Sequence, residues 1–324
     1  MQISVTVHVD DLFITCCKQK RIVELATSLR ERCGEIKCAQ GPVTNYLGMV
    51  FDTFTEGEAR VTMKGFVDDL LRWYGGSGTA KSRAGGTLFS EKVGAAVCQE
   101  EVRKRFHSTV AKLLYLPKRA RPDILTAVSY LATRVQKCYE EDIRKLERVM
   151  SSLRGSSDKG VVFRPGDREM TVRVFVDAAY GVHSNGKSHT GACVVVGEVG
   201  AVHCKSEKQK IVSKSSTEAE LVALSDSCNQ GLHVRRFLEE QGCEMGAVTV
   251  YQDNMSCIAM VARGRSAAEK TRHIDIRYFW VKERVDEGEV KIEHLGTKRM
   301  YANVLTKSLQ GGQYHREVKM MTGW

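Results

Sequence analysis

The first quarter of the chain alternates apolar and polar positions in a way that predicts short strands and amphipathic helices. The segment ISVTVHVDDLFITC reads as two strands around a tight turn at Asp10 and Asp11, and a helix follows in IVELATSLRERC. Further strands are predicted in NYLGMVFDTF and EARVT, before a helix that ends at Gly75 and Gly76. The pattern therefore indicates an α+β unit.

The middle of the chain has a helical pattern. The stretch GGSGTAKSRAGG is predicted as a loop because glycine, serine and basic residues dominate it. From about 99 to 153, three helices are predicted in EVRKRFHSTVAKLLYL, RPDILTAVSYLATRVQ and EEDIRKLERVMSSLRG. We expect these helices to form a connector that packs against the first unit.

Alternation returns at Val172, Val174 and Val176 and predicts a strand that ends at an aspartate. The strands TGACVVVG and AVHCKS follow, then a helix over about 216–241, the strand VTVYQD and the helices MSCIAMVAR and IDIRYFWVKERVDEG. A strand EVKIEHL and a terminal helix YANVLTKSL complete the order. This order predicts an α/β fold with a mixed sheet and helices on its faces.

The composition of the chain indicates its net charge and the redox state of its cysteines. The 49 Lys and Arg residues outnumber the 39 Asp and Glu residues, which gives a formal charge of +10. This charge is consistent with a polyanionic partner, and equally with a basic protein that has no such partner. None of the 11 cysteines forms a C-x-x-C pair, so zinc-ribbon spacing is excluded and we expect reduced thiols. No apolar run is long enough to span a bilayer, and we expect a cytoplasmic or nuclear protein.

Acidic residues stand at strand ends and inside one helix of the last region. Asp177 ends VRVFVD, and Asp253 ends VTVYQD, so both are expected at the edge where open α/β sheets bind ligands. Ser215 and Glu218 form a capping box, which leaves Glu220 one turn inside its helix at the border of the sheet-facing stripe. Each acid alone is also explained by a turn or a helix cap. Together, converging carboxylates without His or Cys favour a hard cation such as Mg²⁺ or Mn²⁺.

Several segments of the sequence, taken in order, resemble those of a known family. The segments VFVDAAYG, SKSSTEAELVALSDS, VYQDNMSCIAMV, EKTRHIDIRYFWVKERVDEGEVKIEHL and YANVLTKSL resemble the ribonuclease H domain of copia-type retrotransposon polyproteins, in that order. The earlier segments VHVDDLFIT, NYLGMVF, VAKLLYLPKRARPDILTAVSYLA and RVMSSLRGSSDKGVVF resemble the end of the reverse transcriptase palm and its connection. The resemblance implies a partial palm over 1–75, a helical connector over 76–160 and a ribonuclease H-like mixed five-stranded sheet with flanking helices over 168–312.

The resemblance also implies a chemistry. A ribonuclease H domain cuts the RNA strand of an RNA/DNA hybrid with two Mg²⁺ or Mn²⁺ ions and leaves a 3′-hydroxyl and a 5′-phosphate. Asp177 would bridge both ions, and Glu220 and Asp253 would complete the ion on the leaving-group side. The family's fourth acid on the nucleophile side is replaced by Asn303. Because an amide oxygen is a neutral ligand, we expect weaker metal binding and lower activity.

The Asp10 and Asp11 turn corresponds in that family to metal-binding carboxylates of the polymerase palm. A palm also needs an aspartate from an earlier strand and fingers that hold the template, and the sequence before Asp10 has no room for them. We therefore do not expect this chain alone to synthesise DNA.

Basic residues in two segments are candidates for contacts with nucleic-acid phosphates, and the alternative for each is an ordinary solvated surface. They are Lys270, Arg272, His273 and Arg277 at a helix entry, and Lys205 and Lys208 before the Glu220 helix. The leading interpretation is a ribonuclease H-type endonuclease that acts on RNA/DNA hybrids. The alternatives are a catalytically degenerate nucleic-acid-binding relic, and one piece of a longer polyprotein whose upstream part restores polymerase function.

Overall fold

The computed structural model describes residues 2–91, 96–166, 170–263 and 272–324, without the side chains of 272–275. Lys270 therefore lies outside the described residues, as do the side chains of Arg272 and His273. Within the described ranges, every helix is too short or too polar to span a bilayer.

The N-terminal region begins with an antiparallel hairpin that confirms the predicted turn. Its strands are β1 (Ser4–His8) and β2 (Asp11–Thr15), and helix α1 (Gln19–Cys33) follows them. A second, antiparallel sheet has four strands whose spatial order follows their order in the sequence. They are β3 (Val43–Tyr46), β4 (Met49–Asp52), β5 (Ala59–Thr62) and β6 (Gly160–Phe163). The strand β6 was not predicted, because it is only four residues long and returns from beyond the connector to pair with β5.

Four helices pack beside this second sheet around one apolar core. They are α2 (Lys64–Tyr74), α3 (Glu100–Tyr115), α4 (Leu125–Ala132) and α5 (Glu140–Arg154). Their buried residues include Phe106, Leu113, Leu131 and Met150, each at most 1% exposed. The predicted helical connector is thus present, although α4 ends at Ala132 rather than continuing to the end of its apolar pattern.

The C-terminal region is built on a five-stranded mixed sheet, as predicted. Its strands are β7 (Val172–Ala179), β8 (His189–Val196), β9 (Ala201–Lys208), β10 (Val248–Gln252) and β11 (Val290–His294). The strand order is β11-β10-β7-β8-β9, with β7, β10 and β11 parallel and β8 and β9 antiparallel to their neighbours. The carboxyl ends of β7 and β10 therefore meet at one edge of the sheet.

Three helices cover one face of this sheet. They are α6 (Ser216–Glu240), α7 (Met255–Arg263) and α8 (Arg272–Asp286). The first of them starts as predicted, because the Ser215 hydroxyl accepts the Glu218 N–H at 3.2 Å while the Glu218 carboxylate accepts the Lys214 N–H at 2.7 Å. Gly231 lets α6 lie close to the sheet, since a Cβ there would come within 2.6 Å of Val174 Cγ2.

The opposite face is covered by the end of the chain and by the connector. A 3₁₀ helix over Tyr301–Leu305 and the helix α9 (Gly311–Thr322) pack on Phe175 of the sheet, together with Leu125 of α4. The prediction of a terminal helix over YANVLTKSL is therefore wrong, because only Tyr301–Leu305 of this segment is helical and it forms a short 3₁₀ helix. Its backbone bonds with other elements instead of continuing an α-helix: the Val304 carbonyl accepts the Thr126 hydroxyl, and the Val304 N–H donates to Glu317.

Candidate active site

Three acidic side chains from three elements converge at the edge where β7 and β10 end. Asp177 lies in β7, Asp253 follows β10, and Glu220 reaches them from the second turn of α6. Their ligand oxygens all lie within 4.8 Å of one another, and Asp177 and Glu220 are 1% and 6% exposed. Among the residues that the structure describes, these form the only group of three acids, histidines or cysteines close enough to share an ion.

Burial and mutual repulsion perturb two of these acids. Burial raises the pKa of Glu220 to about 8, with a further contribution from the charges of Asp177 and Asp253, although Gln252 Nε2 donates a hydrogen bond to Glu220 Oε2 at 3.2 Å. Burial also raises the pKa of Asp177, while the Lys307 ammonium and the Thr306 hydroxyl lower it. Buried carboxylates this close together need positive charge to remain ionised.

Asp177 already has two partners of its own from the C-terminal segment. The Thr306 hydroxyl donates to Asp177 Oδ2, and Lys307 Nζ lies 3.2 Å from both carboxylate oxygens. On the other side of the group, the Thr297 hydroxyl donates to Asp253 Oδ2 at 2.8 Å. Sequence reasoning missed these three residues, although Thr306 and Lys307 stand in the same YANVLTKSL block that drew attention to Asn303.

Asn303 lies beside the group and is 1% exposed. Its Nδ2 donates to the carbonyl oxygens of Thr297 at 2.9 Å and Met300 at 2.7 Å, and its Oδ1 accepts from Lys307 Nζ at 2.7 Å. The amide oxygen of Asn303 and the carboxylate of Asp177 thus face the same ammonium group. The Asn303 side chain is thus hydrogen-bonded to Thr297, Met300 and Lys307, and Lys307 lies between it and Asp177.

The donor set fits one hard divalent ion. Carboxylate oxygens are the ligands that Mg²⁺ and Mn²⁺ prefer, and the separations among the three acids suit coordination distances of about 2.0–2.1 Å after a small adjustment. The position between Asp177 and Asn303 fits a second ion less well, because both oxygen ligands there bind Lys307.

The structure places the two remaining predicted acids elsewhere. Asp10 lies in the turn of the β1–β2 hairpin and Asp11 is the first residue of β2, where it pairs with His8; both are exposed. Neither has two further acids, histidines or cysteines near enough to share an ion, as far as the described residues extend.

Of the predicted basic residues, Lys205 and Arg277 line a cleft of about 430 Å³ between β9, α6 and α8. Lys205 lies 2.8 Å from Glu207 and 3.6 Å from Asp226, and Arg277 also pairs with Asp226. Both cations are therefore partly neutralised. Lys208 ends β9, and burial and the neighbouring Lys187 lower its pKa.

Comparisons with known proteins agree with this architecture. A scan against protein-family models found no match. The retrovirus-related Pol polyprotein from transposon TNT 1-94 of Nicotiana tabacum is 27% identical over 308 residues, which cover 93% of this chain and 23% of that protein. The corresponding polyprotein from transposon RE1 of Arabidopsis thaliana is 27% identical over 205 residues, 63% of this chain and 14% of that protein. These two homologues are Pol polyproteins of plant copia-type transposons, and this chain spans less than a quarter of the length of either.

Solved structures show the same fold at low identity. The foamy viral protease-reverse transcriptase dRH in complex with dsDNA aligns with 90% of this chain and 46% of its own, at 12% identity and a TM-score of 0.53. The foamy viral protease-reverse transcriptase in complex with RNA/DNA hybrid covers the same share of this chain and 36% of its own, at 12% identity and a TM-score of 0.52. These likenesses show a fold shared with that reverse transcriptase, and the mixed five-stranded sheet that the sequence predicts is present in it.

Proposed function

We propose that this homologue of transposon Pol polyproteins is a ribonuclease H-type endonuclease that cleaves the RNA strand of RNA/DNA hybrids and depends on Mg²⁺ or Mn²⁺. The convergence of Asp177, Glu220 and Asp253 at the sheet edge carries the proposal. Three acids that are far apart in sequence are brought together, and two of them are buried with raised pKa values. Such an arrangement costs stability unless it binds a cation, so it indicates function rather than packing.

The acids would hold the divalent ion, which when bound supplies Lewis-acid activation of water and stabilises charge on the phosphate oxygens. The protein itself fixes the three carboxylates on rigid elements: two strands and one long helix. The Gln252 amide holds Glu220, the Thr297 hydroxyl holds Asp253, and the Thr306 hydroxyl holds Asp177. These bonds keep the oxygens in place before substrate binds.

Recognition of the hybrid would rest on shape and on contacts with phosphates and 2′-hydroxyls. Support for a nucleic-acid partner comes from the net charge of +10 and from the related foamy viral enzyme, which was solved with an RNA/DNA hybrid. Lys205 and Arg277 are candidate phosphate contacts because they line the cleft beside α6. Lys208, Lys270, Arg272 and His273 remain candidates from the sequence.

The second candidate function is a nucleic-acid-binding relic without catalysis. Asn303 favours it, because the neutral amide replaces a fourth acid and binds Lys307. DNA synthesis is not assigned to this chain, because Asp10 and Asp11, which the resemblance relates to the polymerase palm, have no further acids, histidines or cysteines among the described residues close enough to complete a metal site.

A cleavage assay separates the two functions. The purified chain is incubated with labelled RNA/DNA hybrid, single-stranded RNA or double-stranded DNA in Mg²⁺ and in Mn²⁺. We expect cleavage of the hybrid alone, with 3′-hydroxyl and 5′-phosphate ends, and its loss in Asp177→Asn but not in the exposed control Asp158→Asn. Binding of the hybrid without cleavage, by protein whose circular dichroism shows it to be folded, would favour the relic. Equal cleavage by Asp177→Asn would refute the assigned site.

A further inference from the structure

The ammonium group of Lys307 occupies the side of Asp177 that faces Asn303. Lys307 Nζ lies 3.2 Å from both oxygens of the Asp177 carboxylate and 2.7 Å from Asn303 Oδ1. On this side the resemblance implies a second metal ion, held by a fourth acid. We propose that Lys307 replaces that second ion, so that the chain binds one divalent ion where the family binds two; this inference rests on the proposed function of the site.

The hydrogen bonds around Asn303 fix which atom faces Lys307. The Nδ2 group donates to the carbonyl oxygens of Thr297 and Met300, which can only accept. Turning the amide over would place its oxygen against two carbonyl oxygens and its NH₂ group against an ammonium. The Oδ1 atom therefore remains directed at Lys307, and it is a suitable acceptor for a lysine.

The backbone that carries Asn303 and Lys307 is held from three directions. Glu317 Oε2 of α9 accepts the Val304 N–H at 2.8 Å, and the Thr126 hydroxyl of α4 donates to the Val304 carbonyl at 2.7 Å. The Ser206 hydroxyl of β9 donates to the Leu305 carbonyl at 2.7 Å. Because these three bonds come from separate elements, the start of the Lys307 side chain is placed with little freedom.

The charges of the three converging acids and Lys307 balance with one ion and not with two. Asp177, Glu220 and Asp253 carry three negative charges when ionised, and Lys307 balances one of them. One divalent ion balances the other two. A second divalent ion would leave two positive charges in excess beside carboxylates that are largely buried, which is strongly unfavourable.

Lys307 also remains accessible from the substrate side. Its side chain is 42% exposed, whereas that of Asp177 is 2% exposed. The ammonium can thus neutralise Asp177 and still approach a phosphate oxygen that enters the site from solvent. A lysine in this place supplies a point charge without needing a fourth carboxylate.

The number of bound ions tests this inference without nucleic acid or cleavage. Free hydrated Mn²⁺ is measured by electron paramagnetic resonance, and ions that persist in Asp177→Asn are subtracted as bound elsewhere. We expect one site ion in the wild type and in Asn303→Asp, because a new carboxylate at 303 would pair with Lys307. We expect two in the double variant Asn303→Asp, Lys307→Gln, whose four carboxylates balance two ions.

The matched control combines Asn303→Asp with Lys298→Gln, since Lys298 is an exposed lysine in the preceding turn and makes no ion pair with Asp177 among the described residues. We expect this control to bind one ion. A second site ion in the wild type or in the control would overturn the inference, as would a single ion in the folded double variant Asn303→Asp, Lys307→Gln.

Lysine labelling of the wild type provides a second measurement that needs no folded variant. An amine-reactive ester is applied with and without saturating Mn²⁺, and the modification of each lysine is followed by mass spectrometry. We expect Lys307 to stay less reactive than Lys298 in both conditions. A rise of Lys307 to the reactivity of Lys298 on adding Mn²⁺ would mean that the ion displaces it. These results do not depend on hybrid cleavage, so the inference and the proposed function can fail separately.

Discussion

The close contact between α6 and the five-stranded sheet can be tested by adding one methyl group at Gly231. A Cβ at this position would lie 2.6 Å from Val174 Cγ2 and 2.8 Å from Val248 Cγ1. Both valines are fully buried and β-branched, so their side chains have little freedom to move away. Gly231→Ala must therefore shift the helix that carries Glu220 away from the strand that carries Asp177.

Two effects of opposite sign decide the magnitude. Replacing glycine by alanine in the interior of a helix stabilises the helix by about 0.5–1 kcal/mol. Overpacking of a well-packed core costs about 1–3 kcal/mol, and the two rigid contacts place Gly231→Ala near the upper end of that range. We expect a net loss of about 1–2 kcal/mol in the free energy of unfolding.

Urea unfolding followed by circular dichroism measures this difference. The matched control is Gly65→Ala in α2, where a Cβ meets nothing within 4 Å, so that the helix propensity acts alone. We expect Gly65→Ala to be neutral or stabilising by up to about 1 kcal/mol. A Gly231→Ala protein as stable as the wild type would refute the claim that this glycine is required by close packing.

Three further predictions concern the segment after β11. Burial raises the pKa of Glu317 to about 7 from an ordinary value of 4.5, so the folded state holds this proton more tightly and stability falls as pH rises from 4.5 through 7, by about 2–3 kcal/mol. In Glu317→Gln, urea unfolding across this range should lack that part of the fall; an unchanged profile would contradict the assignment. A Cβ in Gly191→Ala would meet Thr306 Cγ2 at 2.6 Å and displace the residue that holds Asp177. Hybrid cleavage should therefore fall about 10- to 100-fold, while a thermal unfolding transition shows that the variant is folded. Thr126→Val leaves the buried Val304 carbonyl without its 2.7 Å hydrogen bond and should cost about 1–3 kcal/mol in urea unfolding, whereas no loss would show that water replaces the bond.

The sequence alone determined the core of the site because local patterns specify it. Alternating valines defined β7, and the same pattern defined β10, so the positions of Asp177 and Asp253 at strand ends follow from periodicity. The Ser215 cap fixed the start of α6 and with it the depth of Glu220 in the helix. These features depend on residues close together in sequence, and they are all present in the fold.

Only the tertiary structure decided the conformation of the segment between β11 and α9. The apolar spacing of YANVLTKSL favours a helix, but bonds from Thr126, Glu317 and Ser206 hold it as a short 3₁₀ helix. The nearest of these residues is more than ten positions away in sequence, so no local pattern reveals them. That conformation brings Lys307 to Asp177, which lies 130 residues earlier. A contact over such a separation depends on how the sheet, the connector and α9 pack together, and this packing decides which charges surround the three acids.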